Sequence, residues 1–359
     1  LEPLRSILED GIAAGLHAGA VVAAWQEGQP VVELACGTRA DGSPLQVSDL
    51  LLWMSACKPV GAVATLQLIE RGKLQLDRPL AEYLPEFGAA GKHVLNLRHI
   101  LTHTGGFRWV DTRGAEFDVA EVWRRICAMP IEPDWVPGET AGYHPFTSWF
   151  VLGQLIERVD GRPFGQYVRD EIFVPLGMHD CWIGMSVEQQ QAYGPRLVPT
   201  HETNRPGNPV HRHSTPEGVA TSVPGGNGHG PINELLRFYE MLRRGGELNG
   251  VRILPADTVT DMTRRHRIGK FDITFRHVID FGLGVIVNSA QYGVNTVPYG
   301  YGNQASETTF GHGGAQSSVA FCDPARQLVA AVIFTGMPGE IAHQRRMRRV
   351  LNALDNELT

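Results

Sequence analysis

Ser55 and Lys58 stand three residues apart in the apolar run LLWMSACKPVGAVA, residues 51 to 64. Lys58 is one of only four lysines among 32 lysines and arginines, and none of the other three has a serine three positions before it. A helix begun at Ser55 and running to Arg71 puts Lys58 one turn further on the same face, so the two side chains can touch. A helix N-terminus also offers unpaired N–H groups and a positive dipole end. That setting suits a serine attacking a carbonyl, with the lysine as proton acceptor once burial and a neighbouring cation or hydrogen bond lower its pKa. Pro59 is compatible with a first helical turn. The tetrapeptide alone also reads as an N-capping serine beside a solvated lysine.

Two further stretches could supply chemistry. Gly142-Tyr143-His144-Pro145 follows Trp135-Val136-Pro137-Gly138 and precedes a helix expected from near Thr147. A tyrosine at such a turn can put its phenol into a cleft as a second acid or base, or simply pack where the helix starts. Gly311-His312-Gly313-Gly314-Ala315 lies directly before an expected strand, Gln316 to Cys322. Glycines there let a strand edge approach a ligand closely, and a backbone N–H can donate to an oxyanion.

These residues need a scaffold. With 359 residues, 43% hydrophobic and 19% charged, the chain can fill one large core or two smaller ones. Apolar spacing predicts a helix over Leu4 to Leu16, then strands Ala18 to Gln26 and Pro30 to Cys36 joined at Glu27-Gly28. The far end mirrors this, with strands Gln316 to Cys322 and Gln327 to Phe334 and a helix from Glu340 to Leu354. One sheet built from both chain ends follows, residues 1–65 with 235–359, helices packed on its faces. The middle, 66–234, reads as mostly helical. Helices over Val60 to Arg71, Leu97 to His103, Thr147 to Val159 and Ile232 to Arg244 each stop at glycine. Gln189 to Gly230 and Asn288 to Phe310, rich in Gly, Pro, Asn, His and Tyr, are expected to be lids or substrate rims.

A net charge of -6 gives no polycationic surface for a phosphate backbone, so no nucleic-acid partner is expected. The arginines of Gln344 to Arg349 are expected to close a C-terminal helix, where cations are favoured. No apolar stretch approaches the roughly 18 residues of a membrane span. Cys36, Cys57, Cys127, Cys181 and Cys322 are odd in number and widely spaced, which reads as free thiols in a reducing, cytoplasmic setting. The chain starts at Leu1, so a removed signal peptide stays open. His201, His211, His213 and His229 lack metal-ligand spacing, and no metal or cofactor is expected. Cys57 has no base beside it. Trp53, Trp109, Trp149, Tyr299 and Tyr301 are candidates for an aromatic pocket or for the core.

Taken in order, the serine–lysine pair, the tyrosine turn and His312-Gly313-Gly314 resemble the serine β-lactamase and penicillin-binding-protein superfamily. The branch they resemble holds class C β-lactamases, DD-peptidases and family VIII carboxylesterases. The stretch from Leu97 to Phe107 (LRHILTHTGGF), Leu176-Gly177-Met178 and Pro224-Gly225-Gly226 carry the likeness across nearly the whole chain. The resemblance implies an α+β fold, an antiparallel sheet flanked by helices plus a mostly helical domain, with the site in the cleft between them. It implies Ser55 as nucleophile, Lys58 as its base and Tyr143 as proton shuttle. His312-Gly313-Gly314 would take the place of Lys-Thr-Gly, and the N–H groups of Ser55 and Ala315 would hold the oxyanion.

Two departures bear on substrate. Tyr143-His144-Pro145 stands where β-lactamases carry Tyr-x-Asn, and His312 stands where the carboxylate-recognising lysine would be. Both point away from β-lactams. The expectation is a metal-free serine hydrolase acting through an acyl-enzyme on a small ester. The alternatives are an acyltransferase or amidase on the same scaffold, then a β-lactamase or D-amino-acid peptidase, and an inactive ligand-binding protein. The expected partner is a small-molecule ester or amide, and oligomeric state is not legible.

Overall fold

The hairpin expected near the start of the chain forms as β1 (Gly19–Gln26) and β2 (Gln29–Gly37). Its two turn residues, Glu27 and Gly28, have φ of 53° and 80°, the left-handed pair that matches strand twist in a two-residue hairpin. The computed structural model describes residues 1–358. In it the helices that matter here are α1 (Glu2–Ala13), α2 (Lys58–Glu70), α3 (Leu97–Leu101), α4 (Thr147–Asp160), α5 (Ile232–Arg243) and α6 (Glu340–Glu357). The remaining sheet strands are β3 (Asp280–Phe281), β4 (Ile286–Val287), β5 (Phe310–Gly314), β6 (Ser318–Asp323) and β7 (Leu328–Phe334). They form one antiparallel seven-stranded sheet in the order β3-β4-β5-β6-β7-β1-β2. The chain ends meet where Ala20 pairs with Phe334 and Gln26 with Leu328.

Side chains alternate across a strand, and here both faces are covered. Ala20, Val22 and Ala24 pack with Leu4 and Leu8 of α1 and with Met347, Val350 and Leu354 of α6. Val21 and Ala23 face the other way, into the cluster that holds Leu235, Leu236 and Tyr239 of α5. Two-sided burial is why β1, β6 and β7 read as near-continuous apolar runs. α2 lies inside this second cluster, every residue from Lys58 to Leu68 buried, as expected of a helix apolar all round.

Four expectations need correction. Ser55 does not open α2; it lies in a 3₁₀ turn, Met54–Cys57, and α2 begins at Lys58. Gly311-His312-Gly313-Gly314 is not a lead-in to a strand but a strand itself, β5, paired with β6 from Phe310↔Cys322 to Gly314↔Ser318. Its glycines lower β propensity, yet the neighbouring strands decide. The turn between them takes Gln316 at φ 52°, so β6 starts at Ser318. The arginine cluster lies in the middle of α6 rather than at its end, and buried Arg346 donates to the carbonyls of Leu16 (2.8 Å), Gln316 (2.8 Å) and Gly336 (2.6 Å). The stretch 189–230 is not one open loop: it holds short helices Val187–Tyr193 and Pro216–Ala220 and the strand Gly228–Gly230. No helix among the described residues is long and apolar enough to cross a membrane.

Candidate active site

The 3₁₀ turn that carries Ser55 is clamped from the sheet. Ser318 Oγ donates to the Trp53 carbonyl at 2.6 Å. A Cβ on Gly314 would sit 2.5 Å from that same oxygen, so only glycine lets β5 press this closely against the turn. Met54, immediately before Ser55, sits at φ 49°, a conformation a side chain adopts only where its surroundings enforce it.

Lys58 is completely buried. Its Nζ lies 3.1 Å from Ser55 Oγ and donates to the carbonyls of Pro145 (2.8 Å) and Gly225 (2.7 Å), with no carboxylate among these partners. Burial lowers its pKa from the usual 10.5 to about 7. The rings of Tyr143 and Trp149 lie 5.4 Å from Nζ. In the neutral amine the two carbonyls take the two N–H groups, which leaves the lone pair for the Ser55 hydroxyl proton. Gly225 is at φ 74°, and a Cβ there would fall 2.9 Å from Lys58 Cγ and 2.7 Å from Trp149, which accounts for glycine in Pro224-Gly225-Gly226.

Tyr143 is fixed by its backbone as well as its ring. Its N–H donates to Asp272 Oδ1 at 3.0 Å, and its carbonyl accepts from Thr274 Oγ1 at 2.9 Å. The ring stacks on Phe275 at 4.6 Å and lies 4.6 Å from the ring of His103. Burial pushes the phenol well above its usual pKa of 10, the Ser55 hydroxyl pulling the other way, so Tyr143 is a neutral donor and not a phenolate base. Asp272 is in turn held by Arg267 at 2.9 Å, both side chains fully buried, and Arg267 reaches the Thr102 carbonyl at 3.1 Å.

The stretch Thr102 to Phe107 forms the floor under this turn. His103 Nδ1 accepts the His144 N–H at 3.0 Å. His144 Nε2 accepts from the N–H groups of Gly106 (3.1 Å) and Phe107 (3.2 Å), which requires a neutral ring, and burial holds its pKa near 3. Sequence reasoning missed Asp272, Arg267 and Thr274, and no local spacing signals them, because Asp272 and Thr274 meet Tyr143, and Arg267 meets Thr102, from far along the chain.

His312 is buried, its Nδ1 2.7 Å from the Gly313 carbonyl, so the proton sits on Nδ1 and Nε2 carries a lone pair without a partner among the described residues. Burial, reinforced by Lys58, lowers its pKa to about 3. It supplies no positive charge. Ser55, Tyr143, Pro145, His312, Gly313 and Ala315 line the floor of one pocket of about 330 Å³. Gly314 does not line it and lies instead against the Trp53 carbonyl and Met54. Of the aromatic candidates, Trp109 and Tyr299 form walls, whereas Trp53, Trp149 and Tyr301 are buried in the core. Pro298 and Tyr299 bring the loop after Asn288 to the rim, as expected; from the stretch 189–230 only Gly225 reaches the site, through Lys58. His201, His211, His213 and His229 line no part of this pocket. Cys57 is buried, its thiol pushed up by burial, which makes it inert.

Known proteins share this chain's sequence and fold. The chain is 26% identical to the esterase/β-lactamase LipL of Mycobacterium tuberculosis over 367 residues, covering 92% of this chain and 82% of that one. It is 28% identical to the esterase EstB of Burkholderia gladioli over 308 residues, 74% of each chain. A crystal structure of a family VIII carboxylesterase superposes with a TM-score of 0.81 over 99% of this chain and 97% of the other, at 24% identity, a likeness of fold. The Beta-lactamase family model matches residues 4–354. With that match running through the serine–lysine turn, the tyrosine turn and β5, the chain belongs to the β-lactamase family.

Proposed function

We propose that the protein is a serine hydrolase that cleaves small esters through an acyl-enzyme on Ser55. The observation that carries this is a completely buried Lys58 whose Nζ lies 3.1 Å from Ser55 Oγ. Its pKa near 7 makes the free amine available at neutral pH. Ser55 Oγ bonds to the ester carbonyl carbon as its proton passes to Lys58 Nζ. The N–H groups of Ser55 and Ala315 hold the oxyanion. The C–O bond to the alcohol then breaks, Tyr143 gives its proton to the leaving oxygen, and Lys58 restores it. Water repeats the sequence on the acyl-enzyme, releasing the carboxylic acid and regenerating Ser55.

Esters lead over lactams and peptides because the floor offers no grip for the latter. Pro145 provides a ring and a carbonyl already committed to Lys58, with no side-chain amide, and His312 is neutral. An ester has the better leaving group and loses least from missing orienting contacts. The names of the two relatives, an esterase/β-lactamase and an esterase, support the same reading. The division into 1–65 with 235–359 and 66–234, with the site between the parts, belongs to this proposal; α2 and α5 run through its two boundaries. Five unpaired cysteines fit a cytoplasmic protein.

The test is intact-mass detection of an adduct on Ser55 after a fluorophosphonate, with kcat/KM for a p-nitrophenyl ester and a chromogenic cephalosporin on one preparation. An adduct absent from Ser55→Ala and an ester-to-cephalosporin ratio far above one are expected. A ratio well below one would put β-lactam or peptide hydrolysis first.

A further inference from the structure

The pocket is asymmetric in charge. Among the described residues no lysine or arginine lines it, Lys58 lies beneath its floor, and the one charged side chain on its wall is Glu340, solvent-exposed at the mouth and first residue of α6. Arg108, which reaches Thr274 at the edge, is committed to Glu132 at 2.9 Å. Both Glu340 carboxylate oxygens accept from the single hydroxyl of Tyr299, at 3.0 and 2.9 Å, so each keeps acceptor capacity for something else. Deeper in, the His312 Nε2 lone pair is buried without a partner. Between the two run aromatic faces: Tyr143 stacks on Phe275 at 4.6 Å, Phe275 meets Tyr299 at 5.6 Å, and Trp109 stands opposite solvent, 59% exposed. A carboxylate beside aromatic faces, in a pocket otherwise short of charge, is the chemistry that recognises an organic cation.

We propose that this pocket selects esters bearing a cationic group, an ammonium in particular, and disfavours anionic ones, with Glu340 as the specificity-determining residue. The proposal rests on the ester-hydrolase reading and specifies its substrate class. The cation lies against Tyr299, Phe275 and Trp109 with its charge toward Glu340, while the ester carbonyl rests over Ser55. The neutral forms of Lys58 and His312 leave nothing on the floor to repel it. An anionic substrate meets Glu340 with no compensating cation.

The experiment compares choline acetate with its uncharged isostere, in which a tert-butyl group replaces trimethylammonium, and with an anionic ester of similar length. A second pair carries the same groups in the acyl chain, because either half of the ester can reach the wall. The readout is the cationic-to-neutral ratio of kcat/KM on one preparation. In the wild type it exceeds one, falls about tenfold in Glu340→Gln, which keeps the bond from Tyr299, and inverts in favour of the anionic ester in Glu340→Lys. The same ratio is read from the rate at which matched cationic and neutral phosphonates label Ser55, so it is obtained even if turnover is slow. A ratio unchanged across the three proteins overturns the role of Glu340 while Ser55 labelling keeps the hydrolase reading. Absence of labelling at Ser55 overturns both.

Discussion

Two lysines of this chain, Lys58 and Lys92, are wholly buried, and neither has a carboxylate among its hydrogen-bond partners in the described residues. Lys92 donates to three backbone carbonyls, those of Ala89 (3.0 Å), Cys127 (3.0 Å) and Met129. Three acceptors for three N–H bonds suit an ammonium. Lys58 has two carbonyls and, in third place, the Ser55 hydroxyl, which can donate as well as accept. Burial lowers both pKa values, that of Lys58 to about 7. In the proposed mechanism, what separates the structural lysine from the base is therefore the third partner: a carbonyl holds the proton on nitrogen, a hydroxyl lets it leave.

Ser55→Ala should abolish acyl-enzyme formation and lower ester hydrolysis by several orders of magnitude, measured by intact mass and by kcat/KM; retention of most activity would remove Ser55 as nucleophile. Lys58→Ala and Tyr143→Phe should each be severely impaired, and their double variant should be far less impaired than the product of the two losses, because the groups form one proton network. Multiplicative losses in that cycle would show that one of the two is misassigned.

A smaller effect sharpens the role of the third partner. Only the free amine of Lys58 has a lone pair for the serine proton, so kcat/KM for a neutral ester should fall about tenfold per pH unit below the lysine pKa and level off above it. With that pKa near 7, the bend belongs close to neutrality. His144 and His312, both held near 3, add no limb there. A flat profile through neutral pH would contradict a titrating Lys58. The smallest expected effect is on the other lysine: Lys92→Met leaves three carbonyls without their donor and should destabilise the fold by about 1–3 kcal/mol in denaturant unfolding, with kcat/KM of the folded protein unchanged. A large loss of kcat/KM in folded Lys92→Met would erase the distinction between the two lysines.

The parts of the site legible in the sequence were those that local geometry or chain order could carry. Ser55 and Lys58 are one turn apart, and their contact follows from spacing even though the turn is 3₁₀ and not the start of α2. Tyr143 and His312 were legible through their order and the resemblance. Arg267, Asp272 and Thr274 were not, because what singles them out is contact with Tyr143 and its supporting loop, far away along the chain. Glu340 read as the start of a helix, which it is; that it faces the pocket depends on how α6 is rolled against the sheet. The β5 strand escaped notice for a different reason, since its glycines suppress the propensity signal while serving the close contact of Gly314 with the Trp53 carbonyl.

The pairing of the first sheet strand with the last has a consequence for synthesis on the ribosome. β1 acquires its β7 neighbour only after residue 334 has left the exit tunnel, and the Ser55 turn receives its clamp from Ser318, 265 residues later than Trp53. Contacts of such separation close late. A nascent chain that already contains Ser55, Lys58 and Tyr143 therefore lacks the clamp on the Ser55 turn until the C-terminal strands emerge and pair with β1.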